Sequence, residues 1–301
     1  MEPHFTSIAI YNASDATVEL AQALLATIKS VHAKPWLVSL VDAYTYNSDQ
    51  ILYIIVCAAG NGASEKDIAL PKHYIAYQLE PTVILERQPY QKLLKGAHAV
   101  WDYSPLNVSY LDSLAIPSIH VPVGYHPSTS ALDVVSGQRS YTDHSKDIDV
   151  LFLGVDTYPR RQKIRNELYS RGLRIWFVCG MGIKQMQETI KRAKICLNLH
   201  VRDDMSCLET VRLNVLLSNQ ACIVSEDFGE VKDGTVEEYS SAVQFSSYDK
   251  LVDTCVELVG NFQRRQQLAH QGYQWYLQRN WTDIVPFTKL LPSLSGEPKA
   301  E

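Results

Sequence analysis

Glu209 and Arg212 lie three positions apart and follow a histidine, His200, in a stretch that is otherwise largely apolar. The pattern predicts a buried strand over Ile195–Leu199 and a helix over Ser206–Asn219. Residues three apart share one face of a helix, and ligands of open α/β sheets bind at the carboxyl ends of the strands. A helix that starts beside a strand end also favours an anion. The spacing therefore indicates a site for a nucleotide diphosphate.

Each of these side chains has a functional and a structural interpretation. A carboxylate offers two acceptor oxygens, so we expect Glu209 to accept hydrogen bonds from both ribose hydroxyls. Arg212 either reaches the diphosphate or pairs with Glu209 within the helix. His200 either hydrogen-bonds a phosphate or sugar oxygen or is a core histidine bonded to the backbone. Ser206, at the predicted helix start, is expected to line the diphosphate–sugar region.

A second phosphate-binding element is predicted after the apolar run Ile148–Leu153. Gly154 ends this strand, and Pro159 suits the first turn of the helix that follows. Three cations occupy the first turns of that helix, namely Arg160, Arg161 and Lys163. They predict a phosphate site beside the glycine, because basic residues near a helix start oppose the helix dipole unless an anion compensates. The alternative is a solvated basic helix face.

Two polar clusters at predicted strand ends in the first half of the chain are candidates for the acceptor side. The first is the sequence Tyr77-Gln78-Leu79-Glu80, and the second is Trp101-Asp102-Tyr103-Ser104 with Asn107. Glu80 is the candidate general base for an acceptor hydroxyl. Asp102 is a second carboxylate that could act as this base, but Asp102 or Ser104 could equally cap the helix that follows.

Composition restricts the class of protein. A chain of 301 residues with 46% hydrophobic and 20% charged residues suits two globular domains. A net charge of −5 argues against a surface that coats nucleic acid. No apolar run reaches the roughly 18 residues of a membrane span, and no signal peptide is evident at the start. The six cysteines form no CxxC pair, which predicts reduced core thiols and a cytoplasmic protein.

Strand-like and helix-like runs alternate along the chain, as in parallel sheets covered by helices. A polar stretch rich in Ser, Thr, Pro and Gly interrupts the alternation and is typical of a linker. We predict an N-terminal Rossmann-like domain over residues 1–125, a linker over 126–147 and a C-terminal Rossmann-like domain over 148–280. The tail, residues 281–301, is expected to return to the N-terminal domain.

At these residues the chain resembles glycosyltransferases of the GT-B type, and more narrowly the little-characterised bacterial and viral "glycosyltransferase family 1-like" proteins. The shared motifs are YQ-x-E at Tyr77–Glu80 and VWDYS-x-x-N at Val100–Asn107. A further block reads N-x-H, LE-x-x-R, LL-x-N and IVSE between Asn198 and Glu226. The ordered set spans roughly residues 70 to 230 and is more specific than any one motif.

The resemblance implies an α/β fold of two Rossmann-like domains whose parallel sheets face each other across a cleft. It implies transfer of a sugar from a nucleotide-diphosphate sugar, most simply a UDP- or GDP-sugar, without an essential metal or other cofactor. In this type of enzyme the C-terminal domain holds the donor, which adds Asn198 to the donor residues, and the N-terminal domain holds the acceptor. Retaining members carry a second glutamate eight positions before the one that matches Glu209. Here that position is Val201, so retention and inversion both stay open.

The sequence therefore predicts a metal-independent, hexosyltransferase-like enzyme that uses a nucleotide sugar and a glycan or other hydroxyl acceptor. Arg160, Arg161 or Lys163 would neutralise the diphosphate, His200 would assist at the sugar, and Glu80 would be the base. Three alternatives are a nucleotide-sugar 2-epimerase, a non-catalytic nucleotide- or sugar-binding module and a DNA-base glucosyltransferase. The acidic net charge disfavours the last of these.

Overall fold

The computed structural model describes residues 4–14, 17–45, 48–57, 70–129, 146–204, 207–227, 234–292 and 294. The described chain forms two compact units. The first contains the residues up to Ser128 together with the segment that starts at Trp281, and the second extends from Thr129 to Asn280. Residues 130–145, which make up most of the predicted linker, lie outside the described residues.

In the described part of the first unit, six parallel strands form one sheet in the order β2-β1-β3-β4-β5-β6. The strands are β1 (Ser7–Asn12), β2 (Val38–Val41), β3 (Ile51–Val56), β4 (Tyr74–Gln78), β5 (Ala99–Asp102) and β6 (Ser118–His120). The central strands are short apolar runs, as expected for a sheet buried on both faces. Every residue of β4 is buried, including its last one, Gln78.

Helices follow the strands of the first unit. They are α1 (Val18–Val31), α2 (Thr82–Leu85), α3 (Gln88–Lys95) and α4 (Pro105–Ser113). Helix α4 begins with a proline at its first turn, where a missing N–H costs no helical hydrogen bond. Since α2 and α4 directly follow β4 and β5, their starts lie at the carboxyl edge of the sheet.

The second unit repeats this design with five parallel strands among the described residues, in the order β11-β10-β9-β7-β8. They are β7 (Ile148–Leu153), β8 (Ile175–Val178), β9 (Ala193–Asn198), β10 (Ile223–Glu226) and β11 (Gln244–Ser246). Strand β7 has the bounds that its apolar run predicts. Strand β9 is central and pairs with β7 and β10, so its carboxyl end is flanked by two others.

Helices of the second unit are α5 (Pro159–Ser170), α6 (Ile183–Arg192), α7 (Thr210–Ser218), α8 (Thr235–Tyr239), α9 (Leu251–Gly260) and α10 (Phe262–Leu277). Asn261 caps α10, since its side chain accepts a hydrogen bond from the Arg264 N–H at 3.0 Å. Arg265 is fully buried and donates to the carbonyls of Leu258 and Val259, both at 2.5 Å. It thereby satisfies carbonyl groups at the end of α9.

The C-terminal segment forms α11 (Trp281–Ile284) and α12 (Phe287–Leu290) within the first unit. Trp281 is fully buried, and its indole N–H donates to the Pro122 carbonyl at 2.8 Å. Its ring packs against Phe287, and Phe287 packs against Trp101 of β5. The last described residues are therefore part of the core of the first sheet.

The predicted fold class is confirmed as α/β with two parallel sheets and flanking helices. The six cysteines are free thiols, but one of them, Cys179, is exposed and is not the core thiol that was predicted. In the part of the chain that the structure describes, no helix is both long enough and apolar enough to cross a membrane.

Candidate functional site

The carboxyl ends of β9 and β10 bring the predicted donor residues together. Asn198, the last residue of β9, donates to the Ser225 hydroxyl of β10 at 3.0 Å and to Glu209 Oε2 at 3.0 Å. The His200 N–H donates to Glu226 Oε2 at 3.1 Å. Two neighbouring strands thus fix the loop that carries His200, as the strand-end pattern predicts.

Glu209 is hydrogen-bonded on both of its oxygens. His200 Nδ1 lies 2.9 Å from Oε2 and 3.1 Å from Oε1, and the Glu209 side chain is only 13% exposed. Burial raises the pKa of Glu209, but His200, Arg212 and Asn198 together outweigh burial and hold the pKa well below its usual value. The result is an ionised carboxylate in a fixed orientation at the sheet edge. We refer to Asn198, His200, Glu209 and Arg212 as the Glu209 cluster.

Arg212 completes this cluster from the first turn of α7. Its Nη1 donates to Asn198 Oδ1 at 2.6 Å and lies 3.9 Å from Glu209 Oε1. The helix begins at Thr210, so Glu209 precedes it, and the prediction that Glu209 lies inside the helix is wrong. The Arg212 side chain is 22% exposed, which leaves part of the guanidinium accessible to a ligand.

Gly154 leaves space beside Arg212. A Cβ atom at position 154 would lie 3.0 Å from Phe152 Cζ and 3.5 Å from Arg212 Nη2. The Arg212 guanidinium carbon in turn lies 5.4 Å from the centre of the Phe152 ring. A side chain at position 154 would therefore disturb the packing that orients Arg212, which gives a physical reason for glycine at the end of β7.

Arg160 is paired with acidic side chains of its own unit. Its guanidinium pairs with both oxygens of Glu226 and with Asp203, and it stacks on the Tyr248 ring at 4.0 Å. Glu226 is buried, and the two acidic partners raise the pKa of Arg160 despite its burial. Protein carboxylates already neutralise this cation, which argues against its availability to a diphosphate, and the predicted role stays a prediction.

Arg161 and Lys163 lie in different environments, and the predicted phosphate role of Lys163 stays a prediction. Arg161 is buried and donates to the carbonyls of Val155 at 2.7 Å and Leu199 at 2.9 Å. It thus joins the loops that follow β7 and β9, and burial together with the charge of Arg212 lowers its pKa to about 10. Lys163 is exposed near the Tyr248 ring. Arg161 is therefore a structural residue, and the basic helix start is not one cationic surface.

Ser206 lies outside the described residues, so its predicted place near the sugar stays a prediction. Among the described residues, no group of three or more His, Cys, Asp or Glu side chains is placed to hold a metal ion. Metal independence likewise stays a prediction.

In the first unit, Gln78 connects the two predicted acceptor motifs. Its side-chain amide makes two hydrogen bonds of 2.6 Å with the backbone of Glu80, donating to the carbonyl and accepting from the N–H. Asn107, in α4, donates to the same Glu80 carbonyl at 3.0 Å. The backbone of Glu80 is therefore fixed from two elements, while its side chain is partly exposed.

Asp102 lies at the centre of this arrangement and is fully buried. It accepts hydrogen bonds from the Ser104 N–H at 2.8 Å, from Asn107 at 3.1 Å and from Gln78 at 3.1 Å. Burial raises its pKa to about 8, although these three hydrogen bonds act in the opposite direction. Asp102 thus organises the start of α4 and is not accessible as a base. We refer to Gln78, Glu80, Asp102 and Asn107 as the Gln78 network.

Tyr77 and Ser104, both predicted on the acceptor side, lie inside the first unit. Tyr77 is fully buried, donates to the Val121 carbonyl at 2.9 Å and packs against Trp101 and Trp281. Ser104 is 4% exposed and precedes α4 without a side-chain capping bond. The prediction that Tyr77 contacts the acceptor is therefore wrong, because its ring is buried and its hydroxyl is hydrogen-bonded to the Val121 carbonyl. Tyr77 is a packing residue.

Two contributors to the site were not predicted as such. Glu226 binds both the His200 backbone and Arg160, and Tyr248 stacks on Arg160 while donating to its carbonyl at 2.9 Å. Glu226 follows closely on the apolar run Cys222–Val224, and this position near the end of a strand-like run was a usable signal. Tyr248 had none, because it lies 88 residues from Arg160 in the sequence.

No known protein-family profile matches the chain. Among curated proteins, it is 28% identical over 162 residues to the uncharacterised protein L140 of Acanthamoeba polyphaga mimivirus, covering 53% of this chain and 50% of that protein. It is also 28% identical over 173 residues to protein R358 of the same virus, covering 57% of each. The chain thus spans about half the length of the curated relatives it matches.

Solved structures show a similar fold at low identity. HepE of Anabaena, in complex with UDP-glucose, has a TM-score of 0.59 with 11% identity, covering 94% of this chain and 100% of that one. An α-glucosyltransferase in complex with UDP-glucose and DNA has a TM-score of 0.58 with 11% identity, covering 94% and 98%. Sucrose-phosphate synthase of Thermosynechococcus elongatus has a TM-score of 0.57 with 9% identity and the same coverage. The fold is therefore that of GT-B glycosyltransferases.

Proposed function

We propose that this protein is a glycosyltransferase that moves a sugar from a nucleotide-diphosphate sugar to a hydroxyl acceptor. The observation that carries the proposal is the Glu209 cluster, a carboxylate hydrogen-bonded on both oxygens and a partly accessible guanidinium at the carboxyl edge of a parallel sheet. Ligands of open α/β sheets bind at this edge. The fold shared with GT-B glycosyltransferases supports the same class of reaction.

Glu209 is the proposed ribose anchor. Its ionised carboxylate has acceptor sites on two oxygens, and His200 and Asn198 fix its orientation before a ligand arrives. A fixed acceptor loses little freedom on binding, so its hydrogen bonds to a ribose contribute more to affinity. His200 is then a positioning residue for Glu209, and it does not need to contact the sugar itself.

Arg212 is the proposed partner of the diphosphate. It is partly exposed, lies beside the space left by Gly154 and is held by Asn198. The start of α7 adds backbone N–H groups directed toward an anion at the same edge. These charges favour departure of the diphosphate, because negative charge grows on it as the sugar leaves.

Glu80 is the proposed base on the acceptor side. In a direct displacement, the acceptor hydroxyl gives its proton to the Glu80 carboxylate while its oxygen forms the new bond to the anomeric carbon. The bond from that carbon to the diphosphate breaks, and its electron pair leaves with the diphosphate. The Gln78 network supports this role, since it fixes the Glu80 backbone while the side chain stays partly exposed.

UDP-glucose is the first donor to test, because HepE, an α-glucosyltransferase and the T4 phage enzyme BGT were each solved in complex with it. We further propose that the enzyme uses a hexose donor, acts without a metal and works in the cytoplasm. GDP-sugars are the second donor class.

DNA is a second candidate acceptor, because one of the structures with a similar fold contains DNA beside UDP-glucose. The net charge of −5 disfavours it, since affinity for DNA comes largely from contacts between cations and phosphates. Affinity for duplex DNA that falls steeply with salt, together with glucose incorporated into the DNA, would favour this acceptor over a glycan.

The proposed function is tested by donor binding followed by turnover. Thermal unfolding is measured with UDP-, GDP- and ADP-sugars, because a ligand that binds only the native state raises the melting temperature. The stabilising donor is then incubated with an acceptor library, with and without EDTA, and released nucleoside diphosphate is quantified.

Stabilisation and release that require an acceptor support the proposal. Epimerised donor without acceptor indicates a 2-epimerase, and binding without release or transfer indicates a non-catalytic module. Stabilisation by none of the donors contradicts the proposal.

A further inference from the structure

The second unit contains an open groove that shares no residue with the Glu209 cluster. It has a volume of about 840 Å³ and lies between the region of β11, the last strand of its sheet, and helix α10. Gly272 allows the helix to approach closely, since a Cβ atom there would lie 2.6 Å from the Ala242 carbonyl oxygen. The groove is within the size range of ligand pockets, roughly 300–1,000 Å³.

Neutral amides and one indole dominate the helix side of the groove. Gln271, Gln274, Trp275 and Gln278 all line it, and their spacing places them on adjoining parts of one helix face. Gln244 and Ser240 line it from the sheet side. Gln271 and Gln274 of α10, and Gln278 directly after it, are all exposed.

Trp275 has a fixed position in this groove. Its ring lies 4.7 Å from the Tyr239 ring, and the Arg279 guanidinium carbon lies 4.9 Å from its centre. The side chain is nevertheless partly exposed. A rigid, partly exposed indole offers apolar contact area with little loss of conformational freedom on binding.

We propose that this groove binds a neutral oligosaccharide. Glutamine amides each present donors and an acceptor, which matches hydroxyl groups that also do both. The indole matches the apolar C–H face of a pyranose ring. Among the described lining residues, Arg264 and His270 are the only ionisable ones. A single guanidinium beside a histidine suits an uncharged ligand better than a polymer of phosphates, which needs several cations.

The role of this groove rests on the proposed function. If the protein transfers a sugar, the neutral glycan bound in the groove belongs to the acceptor class. The groove rests on different side chains from those that bind the donor. Failure of one proposal is therefore distinguishable from failure of the other.

The test uses the full chain on an array of neutral glycans that includes maltoheptaose, cellohexaose and chitohexaose, with affinities then measured by calorimetry. Trp275→Ala and Gln271→Ala are each expected to lower the affinity for the captured glycan at least tenfold, whereas Trp275→Phe should retain most of the affinity. Gln266→Ala is the matched control. Gln266 is an exposed glutamine of α10 nine positions before Trp275, which places it half a turn around the helix. This variant should bind like the wild type.

Gln271→Ala keeps the experiment informative if loss of Trp275 destabilises the fold, because Gln271 is exposed. UDP binding in each groove variant should match the wild type, and Glu209→Ala should still bind the glycan. If no neutral glycan is captured, or if capture is unchanged in both Trp275→Ala and Gln271→Ala, the proposal is overturned. Displacement of the glycan by a single-stranded DNA oligonucleotide, with steep salt dependence, would also overturn it and indicate a nucleic-acid groove. Glycan capture without any donor binding would support the glycan-binding groove and contradict the proposed transferase activity.

Discussion

His200 Nδ1 lies within 3.1 Å of both carboxylate oxygens of Glu209, at the carboxyl edge of the second sheet. Both side chains are largely shielded from water, at 3% and 13% exposed. A histidine at the end of a strand thus orients a carboxylate that lies just before a helix.

Replacing Glu209 tests whether this residue binds the nucleotide sugar, as distinct from stabilising the fold. Glu209→Ala should weaken binding of the nucleotide sugar by about 1–3 kcal/mol, the usual cost of losing a hydrogen bond to a charged group. Glu209→Gln keeps an acceptor oxygen but no charge and should have an intermediate effect. Calorimetry with UDP-glucose measures both, and circular dichroism checks the fold. Glu167→Ala, an exposed glutamate of α5, is the control. Donor affinity equal to wild type in a folded Glu209→Ala protein would refute the role.

Arg160 should affect stability more than nucleotide affinity. Arg160→Ala leaves the buried Glu226 carboxylate without its cation, which costs about 3 kcal/mol of unfolding free energy. Adding Glu226→Gln removes the uncompensated charge and should recover part of this loss. Urea denaturation measures the stability of both variants. Nucleotide affinity should change less than about twofold, a factor worth under 0.5 kcal/mol. A large loss of affinity with unchanged stability would restore Arg160 as a diphosphate ligand.

The stability contributed by Glu209 should depend on pH in one direction. The folded state holds the pKa of Glu209 below its ordinary value of 4.5. Its contribution is therefore complete above about pH 4.5 and is lost as the pH falls through the folded-state pKa. The difference in unfolding free energy between wild type and Glu209→Gln should be largest near pH 6 and shrink toward pH 3. A difference that is constant between those values would show that the carboxylate is not held in its ionised form.

Gly154 should tolerate no larger residue without loss of donor binding. Gly154→Val would press on Phe152 and on the Arg212 guanidinium, 3.0 and 3.5 Å from the added Cβ position. We expect nucleotide affinity to fall roughly tenfold and stability by about 1–3 kcal/mol, as in other overpacked sites. Gly182→Ala is the control, because nothing lies within 4 Å of a Cβ atom there. Both are measured by calorimetry and thermal unfolding, and equal behaviour of the two variants would contradict the crowding argument.

Glu80→Gln should lower the transfer rate and spare donor binding. A general base contributes typically about 10²–10⁴-fold to the rate, so kcat should fall by that order while UDP-glucose affinity stays unchanged. Gln78→Ala, which releases the Glu80 backbone, should lower kcat less. Once an acceptor is found, steady-state kinetics measures kcat and KM for each. A Glu80→Gln enzyme with wild-type kcat would remove this residue from the mechanism.

Local patterns predicted much of this fold. Strand β7 was predicted with its observed bounds, because its six residues are apolar except for Asp149 and a glycine follows them. The proximity of His200 to Glu226 agrees with the rule that parallel strands end at the same sheet edge. The start of α7 was predicted four residues early. Cys207 and Leu208, which precede the helix, are apolar and buried like its inner face, so the apolar pattern alone does not mark where the helix begins.

Long-range pairing was not predictable in the same way. The Arg160–Glu226 pair joins residues 66 positions apart, and no local spacing indicates it. The burial of Tyr77 depends on Trp281, which lies about 200 residues further along the chain. A tyrosine beside a polar strand end therefore had the pattern of a ligand contact, although the C-terminal segment encloses it.

That enclosure has a consequence for biosynthesis. The core of the first unit includes Trp281 and Phe287, so its final packing must wait until these two residues have been synthesised. The second unit is continuous from Thr129 to Asn280 and has no such delay. The first unit therefore completes its core only after the second unit has been synthesised, and a premature stop near codon 280 would leave it without those two aromatic side chains.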